Sequence, residues 1–555
     1  MLKTVCALLV FVATTAFAAT PADAEIRRIL SERIDVRKEG VGIVVGVIDE
    51  HGRRIVAHGT FDTKNKRAVD GDTIFEIGSM TKVFTSLLLA DAAQRGEVKL
   101  EDPAAKYLPP AVTLPQRGGK QITLADLATH TSALPRLPSN LTPADVANPY
   151  ADYTVEQLYA FLATYELPRD IGTEYEYSNL GAGLLGHLLA RRANSDYATL
   201  VRTRITTPLA MKSTFIDIPP NLKGRLATGH DETLKPVANW DLPTLAGAGA
   251  LRSSANDLLT FLAAQLGYTR SPLTPAMTSM LRTRRPTGAS NLTIALGWHI
   301  ATSPNGGEIV WHNGGTGGYR SFFGFDPKTR SGVVVLSNTS TIAGVDDIGR
   351  HLLDPTSPLL AMPKQVAAKT ELFDHFTGRY QLAPNFILTI TREGGQLYLQ
   401  ATGQPRFEIY PKGDREFFLK VVEALVTFDP DVDGRAPSLV LHQNGQHLPG
   451  KRLEGDAPAA KVRNEVAVDA KILERYVGRY QLAPSFVIAI TREGDSLFLQ
   501  ATAQPKFPLF AESENEFFLK AVDAQVTFEV DATGRAAALV LHQFGADQRA
   551  PRLER

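Results

Sequence analysis

Residues 371–454 lie over residues 471–554 without a gap, at an offset of 100. "GRYQLAP" recurs at 378 and 478, "ITREG" at 390 and 490, "EFFLK" at 416 and 516, and "LVLHQ" at 439 and 539. A segment repeated whole is a folding unit used twice, so the chain is built from at least three parts. Each copy runs as short alternating apolar segments broken by turn residues, as in "FILTI-TREGG-QLYLQ" from Phe386. That is the pattern of an antiparallel meander or small closed barrel, and no long helical period stands out in either copy. The stretches "PTSPLLAMPKQVAAKT" from Pro355 and "GDAPAAKVRNEVAVDA" from Gly455 are rich in Pro or Ala, short of aromatics, and read as linkers. Two all-β barrel repeats over 368–455 and 468–555, after a separate N-terminal domain over 19–360, follow from these breaks. A chain of 555 residues also exceeds what one hydrophobic core usually holds.

The first residues, "MLKTVCALLVFVATTAFAAT", carry one cation at Lys3, an apolar run and then Ala16-Phe17-Ala18. This is the form of a secretory signal peptide over 1–18, which implies a secreted or periplasmic protein with no integral membrane segment after cleavage. The only cysteine, Cys6, falls within the leader, so disulfides, thiolate catalysis and cysteine-bound zinc are excluded from the mature chain. Formal net charge is zero and no long run of like charge occurs, which leaves no footprint for nucleic acid and favours a small-molecule substrate. No metal or other cofactor is implied, and no oligomeric state follows from the sequence.

Within 19–360, helical periodicity marks segments near 25–38, 79–95, 154–164, 180–193, 256–266 and 341–353. Strand-like runs sit at "VGIVVGVID", "RRIVAHG", "GEIVWH", "RSFFGFD" and "GVVVLSN". Two early strands, a helical middle and late strands predict one antiparallel sheet closed by both ends of the domain, flanked by helices, so an α+β class. Ser79 and Lys82 form the only Ser-x-x-Lys pair and stand at the start of the helix expected over 79–95. At i and i+3 the amine shares a face with the hydroxyl, and a helix N-terminus favours developing negative charge. Read alone, the pair is equally a helix cap followed by a solvated lysine.

Further motifs change that reading. Tyr177-Ser178-Asn179 precedes the helix near 180–193, and His312-Asn313-Gly314-Gly315 ends a strand-like run. Ser-x-x-Lys, then Tyr-x-Asn, then a basic residue-x-Gly, in that order, resembles the penicillin-recognising serine hydrolases: class C β-lactamases, D-alanyl-D-alanine carboxypeptidases, D-aminopeptidases and related esterases. "LATHTSALP" near His130, "PLAMKSTF", "AGALRSSANDLLTF" and "WHNGGTGGY" agree, and the resemblance covers nearly all of 25–350. It implies a β-lactamase/transpeptidase-like domain, followed here by two lipocalin-like barrel repeats. It implies Ser79 as nucleophile, with Lys82 and Tyr177 as candidates for its base, and Asn179 binding the substrate amide carbonyl while helping to hold Lys82. His312, Asn313, Gly314 and Gly315 would bind substrate, with the backbone N–H groups of Ser79 and Gly315 as the oxyanion hole. One departure stands in the "HTS" box, where the family's usual glycine is Ala133.

No serine sits in G-x-S-x-G and no H-E-x-x-H occurs, against an α/β-hydrolase and a zinc peptidase. "GQHLPGKR" from Gly445 lacks the last residue of a phosphate loop and closes a β repeat. Class C β-lactamases usually carry lysine at the third motif, where His312 would be partly charged near neutrality. Histidine there resembles secreted D-alanyl-D-alanine carboxypeptidases and D-aminopeptidases, and a D-aminopeptidase of this family also carries two C-terminal barrels. The expected substrate is therefore a D-amino-acid peptide, with a β-lactam or an ester as alternatives. A non-catalytic penicillin- or peptide-binding protein is the reading from another class.

Overall fold

The computed structural model describes residues 20–303, 306–341 and 343–360, and from 365 to 553 all but short stretches. The leader expected over 1–18, with Cys6, lies outside the described residues, as do parts of both linkers. Among the described residues no helix is long and apolar enough to cross a membrane.

The N-terminal domain is centred on an antiparallel sheet of eight strands: β1 (Gly42–Asp49), β2 (Gly52–Gly59), β3 (Arg285–Pro286), β4 (Leu292–Ile294), β5 (His299–Thr302), β6 (Glu308–Gly315), β7 (Arg320–Asp326) and β8 (Ser331–Ser337). Their order is β2-β1-β8-β7-β6-β5-β4-β3, so the first and last strands of the domain pair with each other, Val45 opposite Val335. Both faces of β1 are covered, which is why "GIVVGVID" is apolar at almost every position rather than alternating. Its pleat sends Val44 and Ile48 into one core, and Ile43, Val45 and Val47 into another.

Helices α1 (Asp23–Ser31), α2 (Thr81–Gln94), α3 (Val155–Thr164), α4 (Asn179–Arg192), α5 (Ala255–Gln265) and α6 (Asp346–Leu353) answer the six expected segments. Ile26, Ile29 and Leu30 of α1 and Ile348 and Leu352 of α6 close the second core. α2 is buried at every position from Thr81 to Ala92, which makes it the central helix of the larger core. Short helices at Leu124–Ala128, Tyr197–Val201 and Thr274–Met280 were not expected, being too brief to show a 3.6-residue period.

The repeats are barrels. In the first, eight strands from Gly378–Ala383 to Gln446–Arg452 pair in sequence order and close through Tyr380 opposite Arg452. The second repeats the order from Gly478–Ala483 to Ala546–Pro551, with a Tyr480–Arg552 bridge at the matching place. Phe376, Tyr380, Phe417 and Phe428 pack in the interior of the first, and Tyr476, Tyr480, Phe517 and Phe528 in that of the second. These interiors are packed cores. A short helix precedes each barrel, Phe373–Phe376 and Ala470–Tyr476, and buries its aromatic side chains in that core.

Candidate active site

Ser79 lies in a 3₁₀ turn, Gly78–Met80, and α2 begins only at Thr81. The sequence had started the helix at the serine itself. The tighter turn follows from the approach of β6, whose end runs against residues 77 and 78. A Cβ on Gly314 would stand 2.0 Å from the carbonyl oxygen of Ile77, and one on Gly78, at φ +49, would stand 2.7 Å from the nitrogen of Gly315. Only glycines allow this contact, and it sets the Gly315 backbone beside the serine turn. Ser321 on β7 donates to the same Ile77 carbonyl at 2.8 Å and holds the turn to the sheet.

One turn on, Lys82 is 2% exposed. Its Nζ lies 2.9 Å from Oγ of Ser79, donates to the carbonyl of Ala248 at 2.7 Å, and sits 4.8 Å from the ring centre of Tyr177. The second partner is thus a backbone carbonyl and not Asn179, as the resemblance had implied. Burial, with the charge of Arg136 adding to it, holds this amine well below its ordinary pKa. The Tyr177 hydroxyl is hydrogen-bonded to Ser79, and burial raises the phenol above its ordinary value. One serine hydroxyl is thus flanked by an amine whose proton burial loosens and by a phenol whose proton burial holds.

Tyr177 and Asn179 are aimed by the residue between them. Ser178 is the N-cap of α4, its Oγ accepting from the Gly181 N–H at 2.8 Å and donating to the carbonyl of Pro135 at 2.7 Å. Its own N–H donates to Nδ1 of His130 at 3.1 Å. With the cap taken by Ser178, the Asn179 side chain is left for the cleft. There its Nδ2 donates to the Tyr150 hydroxyl at 3.3 Å while Oδ1 has no partner. His130 packs its ring 4.6 Å from that of Tyr177. Ala133 has φ +60, so the backbone keeps the left-handed turn that glycine would supply.

The third motif differs from expectation at two residues. Along β6 the side chains alternate, so Asn313 points away from Ser79 and donates to Asp346 at the start of α6, at 2.5 Å. The structure does not bring its side chain to the cleft. His312 is fully buried, its ring centre 6.3 Å from that of Tyr177 and 5.2 Å from that of His299. Burial, then the neighbouring His299 and Lys82, push its pKa well below the ordinary imidazole value. The partial charge near neutrality expected from the sequence is therefore corrected: the ring is neutral, because its charged form would have neither water nor a carboxylate.

A small cleft opens over Ser79 and Asn179. Gly315 and Thr316 at the end of β6 form one wall, Asn179 and Tyr150 the other, and Trp240 packs against Tyr150 with ring centres 5.6 Å apart. Tyr150 and Trp240 were missed in the sequence. They sit in irregular segments, where no periodicity tells which side chain returns to the site.

The family model described as Beta-lactamase matches residues 26–354, and that described as Domain of unknown function (DUF3471) matches 362–452 and 462–555. The chain is 32% identical over 336 residues to the D-alanyl-D-alanine-carboxypeptidase/endopeptidase AmpH of Escherichia coli (strain K12), over 57% of this chain and 84% of that protein. It is 26% identical over 432 residues to Penicillin-binding protein 4* of Bacillus subtilis (strain 168), over 72% of this chain and 92% of that one. Among solved structures, a class C β-lactamase from Rhodobacter sphaeroides superposes with a TM-score of 0.50 at 29% identity, over 57% of this chain and 94% of that one. Since the first match takes in more than half of the 555 residues, the chain belongs to the β-lactamase family and is a serine hydrolase that works through an acyl-enzyme.

Proposed function

We propose that the protein is an exported D-alanyl-D-alanine carboxypeptidase or D-amino-acid peptidase with Ser79 as its nucleophile. The observation that carries this reading is the buried Lys82 amine 2.9 Å from the Ser79 hydroxyl, its pKa lowered by that burial. With one N–H on the Ala248 carbonyl, the amine keeps a lone pair for the serine proton. Lys82 takes that proton as Oγ attacks the substrate carbonyl, whose oxygen sits between the N–H groups of Ser79 and Gly315. The C–N bond then breaks, the Tyr177 hydroxyl hands its proton to the leaving amine, and Lys82 reprotonates Tyr177. Water repeats the sequence to release the acid from Ser79. Asn179 donates to the amide carbonyl on the acyl side of the scissile bond. The likeness to a protein named as a D-alanyl-D-alanine carboxypeptidase supports the peptide reading, and the leader expected over 1–18 supports export.

A second reading, a carboxylesterase, draws on the neutrality of His312, since an ester needs no cation beside its leaving group. A fluorescent penicillin or fluorophosphonate is expected to label the wild type and not Ser79→Ala; equal labelling of both would remove Ser79 from the chemistry. D-alanyl peptides, D-amino acid amides, nitrocefin and short p-nitrophenyl esters, compared by kcat/KM, decide between the readings. The peptides are expected to lead, and a panel led by the esters would overturn the peptidase.

A further inference from the structure

In the three-motif pattern the positive charge of the site sits in the third motif, on the β6 wall. Here that wall carries the neutral His312. The cation beside that wall, Arg320 at the start of β7, is tied down: its Nε donates to the Thr341 carbonyl at 3.1 Å and its Nη1 to the carbonyls of Thr316 and Tyr319, each at 3.2 Å. Lys82 is enclosed, its amine taken up by Ser79 and the Ala248 carbonyl.

A different cation faces the site from the opposite wall. Arg136 is exposed, and its guanidinium carbon lies 5.2 Å from the ring centre of Tyr177. Its backbone is fixed, because its carbonyl accepts the N–H groups of Asn179 at 3.0 Å and Leu180 at 3.2 Å, the first donors of α4. The side chain therefore starts from the residue that positions Asn179, and its charge is felt at Tyr150, Tyr177 and Lys82. Among the described residues it meets no carboxylate and no hydrogen-bond acceptor. A guanidinium beside the Tyr177 ring without a counter-ion can take an anion in bidentate fashion.

We infer that Arg136 determines specificity by binding a carboxylate on the acyl side of the substrate, the part that stays on Ser79 in the acyl-enzyme. This rests on the proposed acyl-transfer reading, in which Asn179 marks the acyl side. The anionic group is thus recognised from the α4 wall and not from the β6 wall. The leaving side, next to His312, is met by neutral groups. A substrate carboxylate is ionised throughout pH about 6 to 8, so the preference is expected to be the same at both ends of that range.

The test uses two D-alanyl thioesters with one leaving group, the acyl part ending in N-succinyl or in the uncharged N-butyryl. For the wild type, kcat/KM is expected to favour the succinyl substrate by about 10-fold, equally at both ends of that pH range. Arg136→Gln is expected to bring the ratio near one, and Arg136→Lys to keep part of it. A ratio unchanged in Arg136→Gln, or abolished instead by Arg320→Gln, overturns the inference. So does an equal loss for both substrates with a shifted pH profile, which would make Arg136 a tuner of Lys82. Failure of either thioester to acylate Ser79 in the wild type would sink the functional reading itself, a result distinct from acylation without preference.

Discussion

In the first turn of α2, Lys82 is buried, and with no carboxylate in hydrogen-bond reach among the described residues its uncharged form is favoured. Acid should therefore inactivate the enzyme by protonating this amine, so kcat/KM falls on the low-pH side. Lys82 and Tyr177 serve the same hydroxyl. Lys82→Ala and Tyr177→Phe are each expected to cost at least about 10²-fold in kcat, and together much less than the product. Strictly multiplicative losses would make them independent groups. The buried imidazoles give a second pH effect, on stability. Burial pushes His299 down to about 4, whereas the unfolded ring takes its proton near about 6.5. Between those values the unfolded state binds more protons, so stability is full above about pH 6.5 and falls toward pH 4, by about 3 kcal/mol for this ring. His130 and His312 act in the same direction. Thermal denaturation at several pH values checks this, and His299→Gln is expected to flatten the slope.

At the scale of elements, the proposed oxyanion site is a contact between a strand end and a 3₁₀ turn. β6 reaches Ile77 because Gly314 has no side chain, and a methyl group there must push the strand away from the turn. A displacement of about 1 Å costs about 10²-fold in a site of this kind. Gly314→Ala should thus acylate at least that much more slowly in a folded protein, read by stopped-flow labelling with a fluorescent penicillin. Asn313→Ala one residue away offers the contrast. It deletes the bond to Asp346 on the far face of β6, so the expected loss is in thermal stability, about 1 kcal/mol, more than in turnover. Similar acylation defects in the two variants would mean that the strand position and not the glycine contact is at stake.

For the whole molecule, the barrels hold cores of their own, and the proposed catalytic residues Ser79, Lys82 and Tyr177 all lie in the N-terminal domain. A chain ending near Ala361 is expected to keep ester hydrolysis, with altered KM or stability. Abolition of turnover by point changes confined to 371–555, without unfolding or a shift in KM, would place chemistry in the repeats.

The duplication, the alternation within each barrel and the five strand-like runs were legible because they are periodic, and periodicity is a local property of sequence. Ser79, Lys82, Tyr177 and Asn179 were legible for a related reason: each lies at the entry to a helix, where short spacing fixes geometry. Other features depended on what the chain brings back from a distance. Ser178 and not Asn179 caps α4 because Pro135 and His130 hold it there. The 3₁₀ turn at Ser79 exists because β6 crosses it some 230 residues later in the chain. Tyr150 and Trp240 reach the cleft, and Arg136 the Tyr177 ring, from irregular segments with no period to mark them. The charge on His312 and Lys82 was beyond the sequence altogether, since a residue type sets an intrinsic pKa while burial, which only the packed molecule decides, sets whether the ion can exist.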